Sequence, residues 1–231
     1  PENGDQTRAY RFPIAGLLEW EIGMRASDRR FREKGWDRRL PGTGLPHGEL
    51  YGKTVGIVGL GTIGKKTARL AQAFGMAVTY YDIQRLSEAE EDALSVRFRL
   101  LRELLAESDL VSLHVPLNPS TQAMIGAAEL ALMKPTATLI NTSRGPVIDE
   151  VALHDALSNN SIAGAGLDVF DVEPPAPENP LFGLDNVTLT PHMAGPTFES
   201  NKARVRNAFD NVQRVNRGAA PLWVIPELED G

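Results

Sequence analysis

The chain has 231 residues, 42% of them hydrophobic, enough to bury a sizeable core and to exclude a disordered polypeptide. Its 24 Lys+Arg against 30 Asp+Glu leave a formal charge of -6, so the surface as a whole does not attract nucleic acid or anionic lipid, and a small anion would need a local cation. With no cysteine, a disulfide framework, a thiolate metal site and a cysteine nucleophile are excluded, a reducing cytoplasm fits, and no apolar run approaches the roughly 18 residues of a membrane span.

The first residues, Pro1-Glu-Asn-Gly-Asp-Gln, are polar and offer no signal-peptide core. Because the chain starts at Pro rather than Met, an upstream stretch is expected. From Phe12 to Arg32 apolar residues at Ile14, Leu17, Leu18, Ile22 and Met24 read as a helix. Its far end carries Arg25, Arg29, Arg30 and Arg32, with Arg38 and Arg39 beyond; these could bind phosphate, but interleaved Asp28, Glu33 and Asp37 favour a solvated or subunit-facing helix end. Pro41-Gly-Thr-Gly-Leu-Pro-His-Gly is dense in chain breakers and reads as an extended connector.

After Leu50, short Val, Ile and Leu runs alternate with helical patterns, the signature of a parallel sheet wrapped by helices. Strands are expected at Thr54–Val58, Ala77–Tyr81, Val96–Phe98, Leu110–His114, Thr138–Asn141, Gly164–Val169 and Val187–Thr190. Helices are expected at Thr62–Phe74, Leu100–Glu107, Ala127–Met133 and Glu150–Ser158. A last helix, Phe198–Asn216, places Phe198, Val205, Phe209, Val212 and Val215 on one face, with Gly218 as a stop.

Gly59, Gly61 and Gly64 stand in GxGxxG spacing after the first strand and at the opening of a helix. The first permits a tight turn, the second lets backbone approach a pyrophosphate, and the third lets helix and strand pack closely. Alone the pattern is weak, since such glycines also serve packing. Here a second strand ends in Tyr80-Tyr81-Asp82, 18 residues past Gly64, where a carboxylate would accept hydrogen bonds from the adenosine ribose. Asp82 argues for NAD over NADP, because a carboxylate repels the extra phosphate. Arg85, otherwise an exposed helix-start residue, keeps NADP open.

Ligands of an open α/β sheet bind beyond the carboxyl ends of its strands, so the residues that stop each apolar run are informative. Arg144 precedes Gly145-Pro146, a turn that would aim it off the sheet edge; it could make a surface ion pair, or grip a carboxylate through two parallel hydrogen bonds. His192 could be a satisfied imidazole, or an acid/base that passes a proton to and from a carbonyl oxygen. Glu173 could cap its proline-rich loop, or contact His192, favour the protonated ring and fix its tautomer. Asp168 could close its strand or accept from a nicotinamide amide. His114 could be structural or line a cofactor crevice that Pro116 stiffens. The four histidines, His47, His114, His154 and His192, show no short ligand spacing, so no metal is expected.

Taken together, Gly-Leu-Gly-Thr-Ile-Gly, His-Val-Pro-Leu-Asn-Pro-Ser-Thr, Met-Lys-Pro, Asn-Thr-Ser-Arg-Gly-Pro-Val-Ile-Asp-Glu, Ala-Gly-Leu-Asp-Val-Phe-Asp-Val-Glu-Pro and Thr-Pro-His-Met-Ala-Gly resemble the D-isomer-specific 2-hydroxyacid dehydrogenase family, in unbroken order from about Leu50 to Gly195. The resemblance implies an α/β fold: a Rossmann-type doubly wound parallel sheet inserted in a split flavodoxin-like substrate domain. Residues 1–196 would form the NAD-binding domain with its leading helix, and residues 197–231 the return segment of the substrate domain. The N-terminal part of that domain, with a glycine-containing loop for the substrate carboxylate, matches nothing in residues 1–50 and is expected upstream.

The same resemblance implies an NAD-dependent, homodimeric cytoplasmic oxidoreductase that interconverts a small 2-oxo acid and its D-2-hydroxy acid. Arg144, Glu173 and His192 match its catalytic set, and Asp168 its nicotinamide-end aspartate. The expected cofactor crevice comprises Gly59, Gly61, Thr62, Ile63, Gly64, Asp82, His114, Pro116, Thr142, Ser143, Asp168, His192 and Gly195. Relatives of the family that act as NAD-sensing corepressors keep the same trio, so an interaction protein stays an alternative, as does a cofactor-domain fragment that binds NAD yet is inert.

Overall fold

The computed structural model describes residues 32–33, 49–195 and 197–222. The expected helix Phe12–Arg32, apart from Arg32, and the connector at residues 41–48 lie outside the described residues. The described residues fall into two compact units, one of residues 32–33 and 49–194 and one of residues 195 and 197–222.

The first unit is a seven-stranded sheet. Its strands are β1 (Thr54–Val58), β2 (Ala77–Tyr81), β3 (Arg97–Phe98), β4 (Leu110–Leu113), β5 (Thr138–Asn141), β6 (Gly164–Leu167) and β7 (Val187–Leu189). Every pairing is parallel and the order is β3-β2-β1-β4-β5-β6-β7. The chain therefore builds outward from β1 in one direction, returns to β4 on the other side of β1, and continues the opposite way. That reversal opens a crevice past the ends of β1 and β4, where ligands of this architecture sit.

Parallel strands buried on both faces need continuous apolar runs, and alternation divides those runs between two cores. On β1, Val55 and Ile57 enter one core with Ala68, Ala71, Val78 and Tyr80, whereas Val58 enters the other with Leu104, Val111, Leu113 and Leu139. The helices between strands are α1 (Thr62–Ala73), α2 (Glu88–Leu94), α3 (Leu101–Glu107), α4 (Ala127–Leu130) and α5 (Glu150–Ser158). Of these, α2 was not expected, although it begins with a capping box: Ser87 Oγ accepts from the Glu90 amide and Glu90 Oε2 accepts from the Ser87 amide. Its sequence, Glu-Ala-Glu-Glu-Asp-Ala-Leu, has too narrow an apolar stripe to show as a helical period.

The second unit is built on helix α6 (Phe198–Asn216), within the bounds its periodicity predicts and opened by Thr197, whose side chain accepts from the Ser200 amide. Of the tail, Pro221 and Leu222 are described; Trp223 and the residues after it lie outside. No helix among the described residues is long and apolar enough to cross a membrane.

Candidate active site

The turn after β1 is shaped by backbone contacts that leave no room for side chains. Gly59 adopts φ +94, in the left-handed region, and a Cβ there would meet the His114 carbonyl oxygen at 2.7 Å. Its amide donates to the Tyr81 carbonyl at 2.8 Å, and the His114 amide donates to the Val58 carbonyl at 2.7 Å, so the turn is sewn to both neighbouring strands. Gly64 packs directly on the Gly59 carbonyl. Gly61 differs: nothing lies within 4 Å of where its Cβ would be.

Helix α1 starts at Gly61 with no side-chain cap and no acidic residue in its first turn. Thr62 and Ile63 lie in that turn. Its amides are thus available to an anion, at the positive end of the helix. Asp82 closes β2 beside this turn: its Oδ2 accepts from the Leu60 amide at 2.7 Å and its Oδ1 from the Gln84 amide at 3.1 Å. One carboxylate therefore fixes the glycine loop and keeps lone pairs for ribose hydroxyls. Together the open side of Gly61, the uncapped amides of α1 and the carboxylate of Asp82 fit a dinucleotide.

His114, past the end of β4, shares a 2.9 Å hydrogen bond between its Nε2 and Ser112 Oγ. Burial pushes its imidazole down to about 4, so the ring is neutral at physiological pH. The loop after it is ordered by Asn118, whose Oδ1 accepts from Ser120 and Thr121, and by Thr121 Oγ1, which donates to the Pro116 carbonyl at 2.6 Å.

Past β5, the turn bearing Thr142, Ser143 and Arg144 hangs on Asn141. This side chain, 1% exposed, accepts from the Ser143 amide and hydroxyl at 2.9 and 2.7 Å and donates to the Arg144 carbonyl at 2.9 Å. Thr142 Oγ1 is buried without a hydrogen-bond partner, a hydroxyl free to meet a ligand group. Arg144 itself is exposed, with Nη1 donating to the Ser143 carbonyl at 2.6 Å. The following Gly145 packs directly on the Phe170 carbonyl, which brings this turn against the loop that carries Glu173.

That loop is positioned from α5. Glu150 accepts from the Asp171 amide at 3.0 Å and from Asn179 Nδ2 at 2.7 Å, clamping both ends of the proline-rich stretch. Glu173 Oε1 takes the Phe170 amide at 3.1 Å, while its Oε2 meets His192 Nδ1 at 2.7 Å. Partial burial pushes the Glu173 carboxyl up, but the His192 hydrogen bond, the Phe170 amide and the charges of His192 and Arg144 outweigh it and hold the group below its ordinary value. Glu173 thus feels the charges of both Arg144 and His192, three residues drawn from three separate strand ends.

His192 occupies φ +49, unusual for a residue with a side chain. Asp168, 1% exposed, holds the turn in that form: its Oδ1 accepts from Thr190 Oγ1 at 2.6 Å and the Met193 amide at 2.8 Å, and its Oδ2 from the Ala194 amide at 2.8 Å. The visible work of Asp168 is thus to shape the histidine turn. A pocket of about 330 Å³ opens between Phe170, Pro174, Phe182 and Pro191, with Glu173 and His192 on its wall. Gly195 belongs to the second unit, where its carbonyl accepts from Ser200 Oγ at 3.5 Å.

Three residues of this arrangement were not singled out from sequence: Asn141, Glu150 and Glu91. Asn141 was the most legible, a polar residue ending the run Thr-Leu-Ile at a strand tip. Glu150 reads in sequence as the first residue of a helix and the last of a family-like segment, with no partner indicated. Glu91 is 4% exposed and takes hydrogen bonds from Tyr80 and Arg85, which nothing local announces.

Comparison with known proteins follows the same lines. Residues 14–194 match the family model described as D-isomer specific 2-hydroxyacid dehydrogenase, NAD binding domain. A glyoxylate reductase of Korarchaeum cryptofilum is 45% identical over 210 residues, 91% of this chain and 63% of that protein. A glyoxylate reductase of Pyrococcus furiosus is 50% identical over 177 residues, 77% of this chain and 52% of that protein. The crystal structure of a glyoxylate reductase from Paecilomyes thermophila superposes with a TM-score of 0.86 at 32% identity, over 99% of this chain and 67% of that one. The chain thus spans between 52% and 63% of the length of these two curated relatives.

Proposed function

The chain belongs to the D-isomer specific 2-hydroxyacid dehydrogenase family, and on that premise we propose that its protein interconverts a small 2-oxo acid and the corresponding D-2-hydroxy acid with NAD. The observation that carries this reading is the 2.7 Å contact of His192 Nδ1 with Glu173 Oε2. A carboxylate on Nδ1 keeps a proton there and leaves Nε2 as the nitrogen that exchanges a proton with substrate.

Reduction of a 2-oxo acid needs three services from protein. The anionic carboxylate needs a cation, which Arg144 supplies with two parallel N–H donors in an otherwise acidic chain. The carbonyl oxygen needs a proton as its carbon is reduced, which His192 Nε2 delivers, and which it takes back in the oxidative direction. The imidazolium needs stabilisation and a fixed orientation, which Glu173 provides, with Asp168 and Glu150 holding the two loops in register. Bound NAD would supply the hydride chemistry at the substrate carbon.

For the cofactor, Gly59, Gly61, Thr62, Ile63 and Gly64 would seat the pyrophosphate, Asp82 the ribose, and His114, Pro116, Thr142, Ser143, Asp168, His192 and Gly195 the nicotinamide side of the crevice. Residues 1–196 would form the cofactor domain and 197–231 return to a substrate domain, in a cytoplasmic homodimer.

Glyoxylate, named in the relatives from Korarchaeum cryptofilum and Pyrococcus furiosus, is the first substrate to try. The full-length protein with NADH and glyoxylate, pyruvate, hydroxypyruvate or phosphohydroxypyruvate is expected to consume NADH with at least one of them. Tight NADH binding without consumption by any acid would contradict the reading.

A further inference from the structure

Just past Asp82 the chain carries one basic residue before Leu86, and the structure shows it engaged. Arg85 Nε lies 3.2 Å from Glu91 Oε1, and its guanidinium carbon sits 5.1 Å from the centre of the Phe98 ring. Glu91 is 4% exposed, on α2 behind the ribose loop. Tyr80, fully buried at the end of β2, ties the pair to the loop: its hydroxyl donates to Glu91 Oε1 at 3.1 Å and accepts the Leu86 amide at 2.8 Å. Phe98 in turn packs edge-on against Tyr80, with ring centres 5.6 Å apart.

A buried carboxylate that lost its cation would face the full desolvation cost of its charge, so Glu91 holds Arg85 far more firmly than an exposed partner would. NADP differs from NAD by a phosphate on the ribose hydroxyl that Asp82 faces. Accepting that phosphate requires a cation to offset the repulsion from Asp82, and Arg85 is the basic residue nearest to it in sequence.

We propose that Glu91, braced by Tyr80, draws Arg85 away from the adenosine ribose and thereby makes the site select NAD against NADP. The proposal rests on the dinucleotide reading of the glycine loop. Asp82 repels the phosphate, and Glu91 withdraws the side chain that could compensate, so selectivity resides partly in a residue outside the nucleotide site.

The test is calorimetric measurement of the dissociation constants of NAD+ and NADP+ for the full-length protein, Glu91→Gln, Arg85→Ala and the double variant. Glu91→Gln keeps the size of the side chain and an acceptor for Tyr80 but releases Arg85, and should lower the ratio of the NADP+ to the NAD+ constant by about tenfold, the worth of one exposed charge-assisted hydrogen bond. Arg85→Ala alone should leave that ratio where it is, and in the double variant the gain should vanish. A Glu91→Gln ratio equal to wild type, with NAD+ still bound, would overturn the proposal while leaving the cofactor reading intact. So would a rise in the ratio on Arg85→Ala, which shows Arg85 already serving the phosphate, and that comparison decides the matter if Glu91→Gln does not fold. A wild-type protein that binds neither nucleotide would sink the cofactor reading, and this proposal with it.

Discussion

Asp168 accepts the backbone of the His192 turn at three successive residues: the His192 amide donates to the Asp168 carbonyl at 2.8 Å, and the Asp168 carboxylate takes the Met193 and Ala194 amides that follow at 2.8 Å each. A buried carboxylate with three donors aimed at it is the rigid part, and the histidine turn conforms to it. Replacing Asp168 by Ala would strand the part-buried Met193 and Ala194 amides and should cost about 1–3 kcal/mol of stability, from the lost charge-assisted hydrogen bonds. Urea denaturation would measure it; a loss below about 0.5 kcal/mol, the range of an ordinary surface change, would remove Asp168 from this role.

The left-handed backbone at His192 costs free energy that glycine would not incur. His192→Gly and His192→Ala both lose the imidazole and its Glu173 contact, so their difference isolates the backbone. His192→Gly should be more stable than His192→Ala by about 1 kcal/mol. Equal urea midpoints would show that the turn opens once the side chain is gone.

Glu173 gives a pH signature whose sign follows from its lowered pKa. A carboxyl depressed on folding stabilises the native state above the ordinary value of 4.5 and loses that contribution as pH falls through the folded value. Glu173→Gln should therefore be less stable than wild type at about pH 5.5, with the gap closing toward about pH 3. Melting temperatures of both proteins across that range would show it, and a gap that stays constant down to the acid end would mean that Glu173 gains nothing from its partners.

Two glycines of one loop should respond in opposite ways. Gly64→Ala drives a methyl group onto the Gly59 carbonyl and should destabilise the fold by about 2 kcal/mol or more. Gly61→Ala points its methyl into open space, so stability should hold while NAD affinity falls by about tenfold or more, because the pyrophosphate and the methyl compete for that space. Unchanged NAD affinity in Gly61→Ala would place the dinucleotide elsewhere.

The central strands were legible because parallel strands buried on both faces must be continuous apolar runs, and β2, β4, β5, β6 and β7 are followed by Asp82, His114, Arg144, Asp168 and His192, which the all-parallel pairing puts at the same edge of the sheet. Arg144, Glu173 and His192 could be named from those run ends. What could not be read is what holds them: Asp168 meets its partners 22 to 26 residues away, and Glu150 clamps a loop 21 to 29 residues on. Those pairings exist only once β5, β6 and β7 are side by side. Arg85 shows the same limit, since its partner lies one helix turn inside α2, a helix whose thin apolar stripe hid it.

The central claim is that His192, oriented by Glu173, passes the proton to the substrate oxygen. Single-turnover mixing of the NADH complex with a 2-oxo acid that the wild type reduces, followed by loss of NADH absorbance, measures that step directly. His192→Ala should slow it by about 10²–10⁴-fold, and a rate equal to wild type would contradict the account.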